Sequence, residues 1–302
     1  MDARTRMDGT AWALLLTLAM LWGGSFFFAK VAVAEVPPLT VVLVRVALAA
    51  LVLVPVLHLA GGRLPGRADV WRAAFVMAAI NNVIPFALFF WASVHVTSGL
   101  AAILNATTPL SGVVIAHFLT DDEKATPARL AGVALGLAGV AVLVGPSALG
   151  IVDVALLPQL ACLAAAISYA FAGVYGRRFR AMGVMPLRTA TLQVTASTVL
   201  MIPIAATVDR PWTLAVPSAK VLWALVGLAV LCTAVGYLLY FEILKRAGAT
   251  NLLLVTFLVP VSALLLGGLF LGEAVSGGQA WGMALIGLGL ACVDGRLLTR
   301  RQ

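Results

Sequence analysis

The segment Pro38 to Val56 recurs 148 positions later as Pro186 to Ile204. Both copies open with Pro-Leu, carry a valine in register (Val46, Val194) and place the next proline at the same distance (Pro55, Pro203). Each is an apolar run broken at the same place by one strong polar residue, Arg45 in the first copy and Gln193 in the second. The echo runs on. Ala87-Leu88-Phe89-Phe90 matches Leu238-Leu239-Tyr240-Phe241, and Pro109-Leu110-Ser111 matches Pro260-Val261-Ser262. Glu123-x-x-Thr126 followed by Gly132 matches Glu273-x-x-Ser276 followed by Gly282 at identical spacing. The chain is therefore two copies of one unit, residues 1–150 and 151–302.

The unit is a membrane unit. Only 11% of the residues are charged and 62% are hydrophobic, whereas soluble domains carry about 25% charged residues. A soluble chain of this length would lack the polar residues to cover its surface. Apolar runs of spanning length fall near 10–29, 38–60, 71–91, 98–119, 127–145, 154–174, 187–207, 219–242, 248–271 and 277–296. The spacing predicts ten transmembrane helices with short links. Each half holds five. Because five is odd, the second half must enter the bilayer upside down relative to the first, and inverted repeats of this kind build transporters with a site near the midplane.

Basic residues orient the bundle. With the N-terminus in the cytoplasm, the inner segments hold sixteen Lys and Arg: Arg4, Arg6, Arg63, Arg67, Arg72, Lys124, Arg129, Arg177, Arg178, Arg180, Arg188, Lys245, Arg246, Arg296, Arg300 and Arg301. The outer segments hold three, Lys30, Arg210 and Lys220. This bias predicts both termini inside. It also accounts for the net charge of +8 without nucleic acid, since the basic residues form no long cluster.

Other classes find little support in the sequence. The three cysteines, Cys162, Cys232 and Cys292, lie singly in apolar runs and read as packing residues. Asp121-Asp122-Glu123-Lys124 reads as a solvated turn, and His58, His95 and His117 fall near helix ends. No cofactor and no metal ligand set is expected. The first apolar run is too long for a signal-peptide core and ends in no clean cleavage site. A membrane-embedded enzyme would need titratable groups gathered at one depth, and here they are scattered at helix ends.

Taken together, Leu21-Trp22-Gly23-Gly24-Ser25-Phe26 in helix 1, Arg45 in helix 2, Pro109 in helix 4 and the Glu123 and Glu273 elements resemble the EamA branch of the drug/metabolite transporter superfamily. The resemblance spans the whole chain and is greatest to bacterial amino-acid exporters, including the aromatic amino-acid type. It implies a secondary transporter of the bacterial inner membrane that exports amino acids or related metabolites by alternating access. Drugs or other metabolites are the alternative cargo. Its partners would be a small-molecule substrate and the lipid bilayer, as a monomer or weak homodimer. Helix 6 departs from the family pattern with Ser168-Tyr169 in place of a tryptophan.

Candidate site residues follow from polarity at depth. Asn81 and Asn82 precede Pro85, which would free the carbonyl of Asn81. The pair reads either as a hydrogen-bonding point for substrate or as glue between helices. The repeat places Cys232 and Thr233 opposite them. Pro109 and Pro260 would free the carbonyls of Asn105 and Thr256, a symmetric pair suited to bending or to lining the substrate cavity; Asn105 and Thr256 join the candidate cavity residues, and Pro85, Pro109 and Pro260 form the candidate hinges. Arg45 sits two turns into helix 2, where an arginine costs roughly 3 kcal/mol unless it snorkels or pairs. Glu35 is its candidate partner and a substrate carboxylate the functional alternative. Trp22, Ser25, Ser168, Tyr169, Tyr175, Tyr237 and Tyr240 supply aromatic and hydroxyl groups to an apolar pocket with few polar points. Gly132, Gly136 and Gly139, echoed by Gly282 and Gly289, read as a close-packing face, between helices or between copies. No acid or histidine lies at mid-depth, Glu242 and His95 being nearest, so the expectation is export down the substrate gradient without an obligatory proton.

Overall fold

The computed structural model describes residues 8–121, 123–144 and 156–294. The boundary between halves at 150/151, the acidic Asp2, Asp122 and Asp153, and the basic Arg4, Arg6, Arg296, Arg300 and Arg301 lie outside the described residues.

Ten helical segments are present among those residues. They are α1 (Gly9–Ala32), α2 (Pro38–Leu59), α3 (Ala68–His95), α4 (Ser98–Leu119), α5 (Pro127–Val144), α6 (Leu156–Ala181), α7 (Pro186–Val208), α8 (Ala219–Gly248), α9 (Val255–Leu271) and α10 (Gly277–Asp294). Proline supplies the first residue of α2, α5 and α7, where its missing N–H costs nothing. Segment α9 begins seven residues later than its apolar run. Gly248 takes φ 77°, which ends the helical path of α8, and Leu253–Leu254 form a turn before α9 restarts.

The packing is that of two inverted repeats. Two pairings map onto themselves, α2 with α7 and α5 with α10. The others exchange: α1 packs on α9 as α6 packs on α4, and α8 on α1 as α3 on α6. Glycines set the closest approaches. A Cβ on Gly132 would stand 2.6 Å from the Gly289 carbonyl oxygen, and one on Gly139 2.8 Å from that of Gly282. The glycine face thus joins α5 to α10 within one chain. A Cβ on Gly23 would stand 2.0 Å from Ser262 Oγ, which donates to the Ala19 carbonyl at 2.7 Å. That explains the glycine after Trp22: α9 rests there.

An even number of segments puts the start of α1 and the end of α10 on one face, termed here the terminal face; the other is the distal face. Eleven of the described Lys and Arg side chains belong to the terminal face and three to the distal face.

The two faces are packed differently. In the distal half of the bundle one continuous apolar core draws on α1, α2, α3, α4, α6, α7 and α8, from Ala29 and Val42 through Phe89 and Ala165 to Leu228. In the terminal half the core splits. One cluster joins α1, α8 and α9 around Leu15, Ile243 and Val259. Another joins α3, α6 and α7 around Ala74, Phe179 and Leu192. A third joins α2, α7 and α8 around Leu53, Val194 and Ala234.

Three carboxylates close the distal face, each crossing from one half to the other. Glu35 accepts from the Ser218 N–H and hydroxyl, both at 2.7 Å, at the start of α8. Asp209 accepts from the Thr40 N–H at 2.7 Å and its hydroxyl at 3.0 Å, at the start of α2. Glu273 accepts from the Ser98 N–H at 2.9 Å, its hydroxyl at 2.7 Å and the Gly99 N–H at 3.3 Å, at the start of α4. Each satisfies N–H groups that a helix leaves unpaired and meets the positive end of its dipole. Glu273 therefore serves α4 rather than the α10 helix that it precedes. Lys30 adds a tie from α1 to α3, donating to the carbonyls of Ser93 at 2.7 Å and Val96 at 2.9 Å. At the terminal face, ion pairs join near neighbours, Arg67 with Asp69 and Arg246 with Glu242. The cross-half pair Glu123–Arg177 stands at 3.9 Å between exposed side chains.

Candidate functional site: a polar crossing at mid-bundle

Two π-turns bring the site together. In α3 residues Ala79–Val83, and in α8 residues Gly227–Val235, are wound one residue wider than an α-helix. The repeat puts them at matching depth, and such bulges re-aim side chains at functional positions. Ahead of Pro85 the widened register makes Ile84 N–H bond to the Ala79 carbonyl. The carbonyl left open by Pro85 is therefore that of Ile80, not Asn81. Ser168 on α6 fills it, its hydroxyl donating at 2.7 Å.

The polar residues of one half meet those of the other crosswise. Arg45 on α2 donates through Nε to the Thr233 hydroxyl on α8 at 2.9 Å, and Thr233 passes its proton to the Leu228 carbonyl at 2.8 Å. The repeat-related contact lies between α3 and α7. Asn81 Nδ2 donates to Gln193 Oε1 at 3.3 Å, and Asn82 Nδ2 donates to Ser197 Oγ at 2.9 Å. Tyr237 closes the ring: its hydroxyl accepts from Gln193 Nε2 at 2.5 Å and donates to Asn82 Oδ1 at 3.4 Å.

Arg45 is 6% exposed and meets aromatic rings rather than an acid. Its guanidinium carbon lies 3.8 Å from the Phe86 ring centre and 5.6 Å from that of Phe90. Tyr169 on α6 stacks on Phe89 at 6.1 Å and meets Phe86 edge-on at 6.5 Å. A desolvated cation over an aromatic face gains about 2 kcal/mol, which offsets much of the insertion cost. Glu35 is occupied at Ser218 and does not pair with Arg45: it belongs to the link before α2, whereas Arg45 lies two turns inside the helix.

Asn81, Tyr237, Trp22 and Tyr240 are half-buried. Trp22 stacks on Tyr240 at 5.8 Å, and Gly236 leaves room for the indole of Trp22. Arg45, Asn81, Asn82, Ser168, Tyr169, Thr233 and Tyr237 thus come together, with Trp22 beside them and Ser25 half-buried on the same helix. Asn105 and Thr256 do not join this network. The Asn105 carbonyl accepts from the Thr108 hydroxyl at 2.8 Å, just where α4 breaks at Ala106–Thr107 ahead of Pro109. Thr256 and Pro260 line a separate void of about 30 Å³ between α4, α9 and α10. Sequence reasoning passed over Gln193, Ser197 and the phenylalanines. Gln193 was signalled by its place opposite Arg45 in the repeat, and Phe86, Phe89 and Phe90 by their helical spacing on one face.

A ten-helix inverted repeat with a polar crossing at its centre defines a polytopic membrane transporter. The EamA-like transporter family matches the chain twice, over residues 10–145 and 156–293, and the protein belongs to that family. It is 29% identical to the "Uncharacterized inner membrane transporter YedA" of Escherichia coli (strain K12), with 87% of this chain and 83% of that one covered. It is 27% identical to a "Probable amino-acid metabolite efflux pump" of the same organism, with 95% and 94% covered. A solved crystal structure of 23% identity superposes with TM-score 0.67, covering 98% of this chain and all of the other, and shares its fold.

Proposed function

We propose that the protein exports amino acids or related small metabolites from the bacterial cytoplasm by alternating access. The observation that carries this reading is the central polar crossing, built from both repeats beneath a distal face tied by three cross-half carboxylates. Under it, residues 1–150 and 151–302 are the two moving repeats. The bias of basic residues supports a cytoplasmic terminal face, with both termini inside. Arg45, Asn81, Asn82, Tyr169 and Tyr237 would line the substrate site, with Trp22 and Ser25 along the approach. Asn105 and Thr256 would act with Pro109 and Pro260 at the bending points. The efflux-pump relative supports amino acids over other cargo. So does the site's composition: nucleotide sugars call for several buried cations and polyamines for buried carboxylates.

The test is counterflow in proteoliposomes with a panel of labelled amino acids, at equal pH on both sides and no membrane potential. Flux of at least one panel member is expected under these conditions, because transport runs down the substrate gradient. Asn82→Ala and Tyr169→Ala should each weaken substrate binding. If both leave affinity and flux unchanged in folded protein, the site lies elsewhere.

A further inference from the structure

The Arg45 guanidinium has an unused edge. Its Nε is bonded to Thr233, but neither terminal nitrogen has a hydrogen-bond partner among the described residues. Nor is either sealed into the packing, as Asn105 Oδ1 and Gln159 Oε1 are. The side chain is more than nine-tenths buried and lies against Phe86, so its planar fork cannot swing to solvent. The ionisable groups that act on it are Tyr169, Cys232 and Tyr237, and no carboxylate is among them. A fixed cation with two parallel N–H donors and no counter-charge is complementary to one carboxylate.

Among the described residues no carboxylate is placed at the crossing to pair with an ammonium group. The described acids sit at chain links or helix ends: Asp8, Glu35, Asp69, Asp121, Glu123, Asp209, Glu242 and Glu273, with Asp294 closing α10. Glu242 is the deepest and is paired with Arg246 one turn away. Glu35, Asp209 and Glu273 are held at helix starts on the closed face. What contacts Arg45 is aromatic (Phe86, Phe90) or a neutral hydroxyl (Thr233), with Tyr169 and Tyr237 near it.

We infer that the site selects monocarboxylates with an apolar or aromatic body, recognising the carboxylate through the free edge of Arg45 and leaving an α-amino group unread. This rests on the transport reading above and narrows it: acids lacking the amine are substrates alongside amino acids, and amines lacking the carboxylate are not.

The experiment compares three probes that share one ring: phenylalanine, 3-phenylpropionate without the amine, and phenethylamine without the carboxylate. Binding is measured by calorimetry on the full-length protein in nanodiscs, and transport by counterflow. Phenylalanine and 3-phenylpropionate should bind within about tenfold of each other, and phenethylamine at least about a hundredfold more weakly. Arg45→Gln should bring all three to the level of phenethylamine. Arg45→Lys keeps the buried charge, guarding against a folding defect, yet loses the fork and should weaken the two acids by about tenfold. Tight phenethylamine binding overturns the inference, as does acid binding that folded Arg45→Gln leaves within twofold. Should some amino acid or other metabolite be transported equally by Arg45→Gln, the transporter stands and the carboxylate anchor falls. Absence of flux for every probe and every panel amino acid removes both.

Discussion

Arg45 and Thr233 are joined by a 2.9 Å hydrogen bond that ties α2 of the first half to α8 of the second. Their repeat counterparts, Gln193 and Asn82, lie on α7 and α3 and are bridged by the Tyr237 hydroxyl, with Asn81 also donating to Gln193. One contact carries a cation and the other is neutral, so the inverted symmetry of the backbone frames an asymmetric site. Thr233→Val keeps the volume and removes the acceptor, leaving Arg45 Nε unpaired. A buried donor left unsatisfied costs about 1–3 kcal/mol. The expected result is a lower thermal midpoint in detergent, with a smaller change for Thr195→Val, whose hydroxyl bonds only within its own helix.

The α5–α10 seam should tolerate no side chain. Gly139→Val would drive carbon atoms into the Gly282 carbonyl oxygen and the Ile286 backbone nitrogen, both within 3 Å of a Cβ. Separation of the two helices should cost about 1–3 kcal/mol. Gly112→Ala, where a Cβ meets nothing within 4 Å, is the matched control and should be neutral. Thermal unfolding of both variants reads the difference.

The distal carboxylates act as latches. Removing charge at Asp209 or Glu273 weakens the bond to a helix start and should shift the population toward a form open at the distal face. In the double variant Asp209→Asn, Glu273→Gln, a cysteine placed at Ala101 in the distal core should be labelled from that side about tenfold faster, or about 1.4 kcal/mol of population shift. Unchanged labelling would show that apolar packing alone holds that face.

Acid should weaken one latch in particular. The Ser218 N–H, then its hydroxyl, hold the Glu35 carboxyl below its ordinary value, with a smaller contribution from Lys220. The latched state therefore has the lower pKa. Its contribution is complete above the ordinary carboxylate range and fades as pH falls through the depressed value. Labelling at the distal face should rise on acidification below the ordinary range, and Glu35→Gln should flatten that part of the profile.

Pro109 and Pro260 should govern rate more than affinity. Pro109 follows the break in α4, and Pro260 lies one turn into α9 beside the small void. Alanine at either position lets the helix straighten, which should slow passage between states. Equilibrium binding should stay within about threefold, or roughly 0.7 kcal/mol. A large loss of binding at unchanged turnover would contradict the assignment.

The sequence by itself determined the ten segments, the two halves and their inversion. Segment length and apolar content follow from bilayer thickness, and an odd number of crossings per repeat leaves no other arrangement. It also marked Arg45, Asn81, Asn82, Tyr169 and Tyr237, because polar groups in so apolar a chain must have a reason at that depth. What it could not give is who meets whom. Glu35 seemed a partner for Arg45 by proximity along the chain, but only the packing of α2 against α8 shows Thr233 in that place. Pro85 pointed to the Asn81 carbonyl under ordinary helical register; the π-turn moved the gap to Ile80, and a helix nearly ninety positions away filled it. Glu273 stood out as half of a repeated element, and the fold sets it at the start of α4 rather than of the α10 helix that follows it. The three carboxylate ties across the distal face were not legible at all, since each joins residues far apart in the chain. Local patterns record depth and periodicity, whereas contacts between helices far apart in the chain are set by the balance of packing across the whole bundle.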